Sequence, residues 1–205
     1  KRILILTILL MSSLAWAGST TVVVGQGGGG EVSCSTPSVL VSSTVTNYGD
    51  YLQEGSRQRG QSFDSGAGGL LCSVTINIAS NNLDTGESGT ITVRVRGGEC
   101  DVSSVYDASG TLVVEDGTTG EVTIDLSASE YTMPASETQY VWFDWSGEGV
   151  TYDNASDDGI DIYYSSTSQI TGQYYYNDTS QGYKWTCDST VADYDLYLKV
   201  KVAGK

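Results

Sequence analysis

The chain has 205 residues, enough for one domain with a small appendage and a substantial core. Its 25 acidic residues outweigh 10 basic ones, giving a formal charge of −15, and it contains no histidine. That charge repels phosphate backbones and excludes nucleic acid as a partner, while the missing imidazole excludes a histidine-based nucleophilic triad and the commonest metal ligand pairings.

Lys1 and Arg2 precede an apolar run, Ile3 to Met11, that ends in Ala15-Trp16-Ala17. This is the basic, apolar and small-residue order of a secretory signal, so residues 1–17 are expected to be removed after Ala17. The run is shorter than the ~20 residues of a spanning helix, so no stable membrane insertion is expected after processing. Loss of Lys1 and Arg2 leaves 8 basic against 25 acidic residues, a formal charge of −17 that reads as a solubility device of a secreted protein.

Residues 18–30 combine a Thr20 to Val24 run with Gly27-Gly28-Gly29-Gly30, a short strand or tail followed by a flexible connector. Residues 31–205 form the remaining domain. Within it, Pro37 and the turn signal Asn47-Tyr48-Gly49-Asp50 break a weakly apolar opening.

The centre of the pattern runs from Gly60 to Arg96. Val74, Ile76 and Ile78 alternate with Thr75, Asn77 and Ala79, and Ile91, Val93 and Val95 alternate with Thr92, Arg94 and Arg96. That is the period of half-buried strands, and the short polar loop between them predicts a hairpin. With both apolar sets on one face, opposing residue numbers sum to an odd value such as 171, which sets Cys72 opposite Glu99. A one-residue glycine bulge at Gly97-Gly98 brings Cys100 opposite Cys72 instead, leaving Cys34 for Cys187. Four cysteines without a Cys-x-x-Cys fit two disulfides in an oxidising compartment rather than a zinc site.

Further strands are expected at Thr111 to Val114, with Leu112 and Val114 inward, and at Val122 to Leu126, with Val122, Ile124 and Leu126 inward. Ser127 to Pro134 is a connection with room for one helical turn. Gln139 to Trp145 reads as a central strand covered on both faces. Ile160 to Tyr164, Gln173 to Tyr176 and Tyr183 to Cys187 follow, and Tyr194, Leu196, Leu198, Val200 and Val202 alternate in a closing strand. About eight to ten short strands without a helical period predict an all-β fold, a two-sheet antiparallel sandwich or jelly roll.

Gln61-Ser62-Phe63, a glycine-rich spacer and Leu71-Cys72-Ser73-Val74-Thr75 resemble the opening of a diffuse group of jelly-roll-like β-sandwich domains in exported bacterial and phage-borne proteins. Tyr140-Val141-Trp142-Phe143 and Asp195 to Val202 resemble that group's later strands. Gly97-Gly98-Glu99-Cys100 departs from it, standing where such domains often carry Gly-x-Pro. The resemblance implies a fold found beside carbohydrate-binding or adhesive roles and carries over no catalytic residue.

Chemistry is sparse. Asp144 and Glu148 are the one obvious carboxyl pair for glycoside hydrolysis, which needs two acids flanking a sugar ring. Asp153, Asn154, Asp157, Asp158 and Asp161 crowd hard oxygen ligands into one loop, a composition suited to calcium though not spaced as an EF-hand. The aromatics are the stronger clue. Tyr174-Tyr175-Tyr176 cannot all face one core in an extended chain, so Tyr175 or the pair around it is expected outside. Tyr175, together with Trp142, Tyr163 and Trp185, is a candidate for stacking on sugar rings or a partner surface. The expected function is a secreted, non-enzymatic adhesion module for a glycan or a cell-surface or extracellular protein. The alternative is a filament or coat subunit that binds copies of itself through the Thr20 to Val24 strand. Asn154-Ala155-Ser156 and Asn177-Asp178-Thr179 match glycosylation sequons.

Overall fold

Alternation of apolar and polar residues becomes two-faced strands. A computed structural model describes residues 32–44, 46–53, 57–100, 105–147, 159–167, 169–178, 190–191 and 194–204, all within the compact unit Val32–Lys205. The strands are β1 (Ser38–Ser43), β2 (Tyr48–Gln53), β3 (Arg57–Asp64), β4 (Gly69–Asn81) and β5 (Ser88–Gly97). Next come β6 (Ala108–Glu115), β7 (Gly120–Asp125), β8 (Thr132–Met133), β9 (Thr138–Gly147) and β10 (Gly159–Ser165). The last are β11 (Tyr174–Asp178), β12 (Thr190–Val191), β13 (Asp195–Leu196) and β14 (Leu198–Ala203). One 3-10 turn, Ser127–Ser129, lies in the expected connection, and no α-helix occurs among the described residues.

All pairings among the described residues are antiparallel; the main hydrogen-bonded path, β1-β14-β4-β10-β2-β3-β9-β5-β6, with β7, β8, β11, β12 and β13 pairing off it, folds over into two packed sheets. The first layer holds β1, β14, β4 and β7, with β10 joining the far half of β4. The second holds β6, β5, β9, β3 and β11. Strand β2 pairs along its length with β10 and meets β3 only at Gln53 opposite Arg57, so it carries the path from one layer to the other.

The core lies between the layers. Val74, Ile76 and Ile78 of β4, Leu198, Val200 and Val202 of β14 and Ile124 of β7 meet Ile91, Val93 and Val95 of β5 and Val141, Phe143 and Trp145 of β9. Each such side chain, moved from water into this layer, contributes on the order of 1.5–3 kcal/mol of hydrophobic free energy. Val114, Ile124 and Leu126 are buried as expected, with Leu112 and Val122 half-buried against them.

Three sequence expectations change. Among the described residues fourteen strands form where eight to ten were expected, because the closing run breaks at Tyr197 and short pieces such as β8 and β12 pair locally. The turn signal at Asn47 to Asp50 lies at the start of β2: Gly49 serves close approach, since a Cβ there would stand 3.1 Å from Asp161 Cβ. Strands β4 and β5 do not form a hairpin. Residues 82–87 cross between layers, so β4 pairs with β14, β7, β8 and β10, while β5 pairs with β6 and β9.

The cysteine pairing falls with that hairpin. Cys34 is bonded to Cys72, with a Cα–Cα distance of 5.5 Å, so neither Cys72–Cys100 nor Cys34–Cys187 forms. Cys100 is also disulfide-bonded, and Cys187 lies outside the described residues.

Candidate functional site

Two of the rings singled out from the sequence, Trp142 and Tyr175, belong to β9 and β11, on either side of β3. Gly60 of β3 stands opposite Trp142 on one side and opposite Tyr175 on the other. With no side chain between them, the two rings meet across the glycine at 6.0 Å between centroids, and Tyr140 joins Tyr175 at 5.9 Å. A Cβ at position 60 would lie 2.7 Å from Trp142 Cδ2. Trp142 Nε1 donates to the Cys100 carbonyl at 3.1 Å, which draws the disulfide-bonded Cys100 over the ring.

This cluster lies on the outer face of the second layer, as alternation demands, yet it is closed to solvent. Trp142 is 2% and Tyr175 4% exposed, which corrects the expectation that these rings are available for stacking on a ligand. Burial, and then the neighbouring Tyr175, raises the Tyr140 phenol above the ordinary tyrosine value. Tyr174 points the opposite way and packs with Tyr164 and Tyr194 at centroid distances of 6.0 and 6.4 Å at one end of the core. Period-two alternation therefore held for the tyrosine run; the inference from "other face" to "exposed" did not, because a second apolar cluster covers that face. Tyr163 is half-buried on β10, and Trp185 lies outside the described residues.

Four members of the acidic loop, Asp153, Asn154, Asp157 and Asp158, also lie outside the described residues. Asp161 is on β10, where its Oδ2 accepts the Ser80 hydroxyl at 2.5 Å. Among the described residues no group of three or more acidic, cysteine or histidine side chains is placed to hold a metal. Asp144 Oδ1 accepts the Trp145 N–H at 3.0 Å, and Glu148, its suggested partner, is outside the described residues. An open depression of about 320 Å³ is lined by Ser88, Gly89, Thr90, Val113, Ser146 and Gly147, none of which titrates.

The exposed apolar side chains are elsewhere. Besides Val32 and Val105, which lie outside the strands, Val39 on β1 is 52% exposed and Val113 on β6 is 62% exposed. These strands are the two ends of the hydrogen-bonded path, each paired on one side only. Such edges offer unpaired N–H and C=O groups to any extended chain, and proteins that avoid pairing blunt them with charge, proline or bulges. Ser38–Ser43 contains no charged residue and no proline; its one irregularity is a register shift between Val39 and Val41. Sequence reading missed this feature, since strand order decides which strands are edges. Tyr106, 45% exposed, is the other prominent ring, with the Arg94 guanidinium 5.3 Å from its centroid.

No protein-family model matches the chain, and no curated protein is similar enough to count as a relative.

Proposed function

We propose that this protein is a non-enzymatic structural subunit of an extracellular filament or coat, in which the Thr20 to Val24 segment of one copy adds as a strand to another. The observation that carries this reading is the placement of two exposed valines, Val39 and Val113, on the terminal strands β1 and β6, while Trp142 and Tyr175, two of the rings expected to stack on a ligand, are packed away. The signal-like start, the disulfide-bonded cysteines and the acidic composition support an oxidising, extracellular setting. No helix among the described residues is long and apolar enough to cross a membrane.

The test is deletion of residues 18–30. Polymers visible by electron microscopy and sedimentation in the intact exported chain should be lost, with the circular dichroism of the sandwich unchanged. A chain that stays monomeric with the segment present rejects the reading.

The second reading, a module that binds a glycan or a surface partner, is favoured by the exposed Tyr106 ring beside Arg94. Glycan-array binding lost in Tyr106→Ala supports it, and an array without signal rejects it.

A further inference from the structure

The two sheet ends are not equivalent. On β6, Ser129 Oγ accepts the Ser109 N–H at 3.1 Å and donates to the Ser109 carbonyl at 3.2 Å, so both groups point away from β5. Antiparallel alternation turns Thr111, Val113 and Glu115 the same way. At the far end of the strand, the Glu115 carbonyl accepts Asn81 Nδ2 at 2.8 Å. Beside Ser109, a Cβ on Gly110 would stand 2.4 Å from the Asp125 carbonyl oxygen, so the end of β7 packs against the face of β6 there. The β6 edge is thus capped at both ends, leaving only Thr111 and Val113 between.

Strand β1 carries no such caps. Among the described residues, β14 alone bonds the backbone of Ser38–Ser43. The strand that would cover it is suggested by charge and position. In a chain of formal charge −15, residues 18–30 and Ser38–Ser43 are both uncharged, and every residue from Thr20 to Val24 is β-branched. β-branched residues suit an extended, half-buried strand, and two neutral segments can meet without the repulsion that separates acidic surfaces.

Position argues for a second copy as the donor. Cys34 is held at Cys72 on β4, and β14 lies between β4 and β1. At roughly 4.8 Å per strand, the described chain begins about two strands inward from its own open edge rather than beside it.

We infer that the outer edge of β1 is the acceptor for the Thr20 to Val24 strand of a second copy, and that β6 is not. The inference rests on the subunit reading above and names the site that reading leaves open. Because donor and acceptor are different surfaces, the contact is heterologous and propagates into an open chain of copies.

A photo-crosslinking amino acid placed at Ser42 or at Val113 in the full-length exported chain tests it, with isotope-labelled and unlabelled copies mixed before irradiation. Position 42 should yield at least tenfold more mixed-isotope crosslink to the peptide containing Thr20 to Val24 than position 113. Val39→Lys should shorten the polymers while leaving the urea midpoint unchanged, and Val113→Lys should not. Polymers crosslinked through position 113, or crosslinks at position 42 confined to a single copy, overturn the assignment while leaving assembly itself standing. Absence of polymers from the unmodified chain overturns the subunit reading and the assignment with it.

Discussion

Gln61 Nε2 donates to Asp195 Oδ1 at 3.1 Å, with both residues fully buried where β3 passes β13. Gln61 Oε1 accepts the Leu196 N–H at 3.1 Å, and Asp195 Oδ2 accepts the N–H groups of Gln169 and Ile170. A side chain that accepts at both oxygens is needed there. Asp195→Ala removes the acceptor of two buried donors, Gln61 Nε2 and the Ile170 N–H, and of the part-buried Gln169 N–H; at about 1–3 kcal/mol per buried donor it should lower unfolding free energy by roughly 3 kcal/mol in urea titration. Asp195→Asn should lose less, since one oxygen can still face the two backbone donors. A loss below ~1 kcal/mol for the alanine variant would show that the node is not a structural tie.

Gly60 leaves room for the Trp142 and Tyr175 rings to meet. Gly60→Ala places a methyl group inside the van der Waals envelope of the indole and should cost about 1–3 kcal/mol as overpacking. Since Trp142 is displaced from a dry site, its fluorescence should shift to longer wavelength in the folded state. An unchanged spectrum and an unchanged urea midpoint would contradict the packing described for this face.

The Cys34–Cys72 bond closes a separation of 38 residues. On the chain-entropy account a loop of that size stabilises by about 4 kcal/mol, so the double variant Cys34→Ala, Cys72→Ala should unfold at markedly lower denaturant. Non-reducing peptide mapping should recover the Cys34 peptide joined to the Cys72 peptide. Recovery of Cys72 joined to Cys100 would restore the pairing expected from the hairpin.

Tyr131 donates its hydroxyl to Gln139 Oε1 at 2.9 Å, and Gln139 Nε2 donates to Glu137 Oε2 at 2.9 Å. Burial, followed by the charge of Asp107, pushes the Tyr131 phenol from 10.0 up to about 12. The folded state holds the proton more tightly than the unfolded chain, so this contribution is complete below the unfolded value and is lost as pH rises through the folded one. Tyrosine carbon NMR should show Tyr131 ionising well above the exposed rings, and Tyr131→Phe should flatten the alkaline fall in stability. Titration of Tyr131 together with the exposed tyrosines would refute the shift.

At the surface, Glu121 accepts from Lys199 Nζ at 2.6 Å and from the Tyr197 hydroxyl. The bond from Lys199 comes first in holding the Glu121 carboxyl below its usual value, and the same contact holds the lysine above its own. This contribution is present above the unfolded carboxyl value and fades as pH falls through the folded one; on the alkaline side it fades as pH passes the raised lysine value. Glu121→Gln should therefore lower mid-range stability by only the small amount an exposed pair supplies, and its thermal melting curve should converge with the parent's at both acid and alkaline extremes. A mid-range loss comparable to that of a core substitution would mean that the pair does more than an exposed contact can.

Strand identity was legible wherever alternation was clean. Ile91, Val93 and Val95, or Leu198, Val200 and Val202, carry their inward face in the residue pattern itself, and each set is buried. Partner choice was not legible, because a polar connection such as residues 82–87 looks the same whether the chain returns beside its own strand or crosses to the opposite layer. The disulfide followed the pairing and was misread with it. Gly49 read as part of a turn signal, yet it occupies a strand where a neighbouring side chain needs the space, as Gly60 does. The Gln61–Asp195 tie joins residues 134 apart in sequence, a relation that no local pattern encodes.

Strand β4 takes its neighbours from distant stretches: Gly120–Asp125 on one side, Leu198–Ala203 and Gly159–Ser165 on the other. A polypeptide emerging from a ribosome or a translocation channel must therefore deliver almost two hundred residues before its central ladder can be completed. Until then this segment lacks its lasting mates, so the molecule is expected to stay threadable through most of its synthesis and to gain rigidity late, in a slow step dominated by long-range closure.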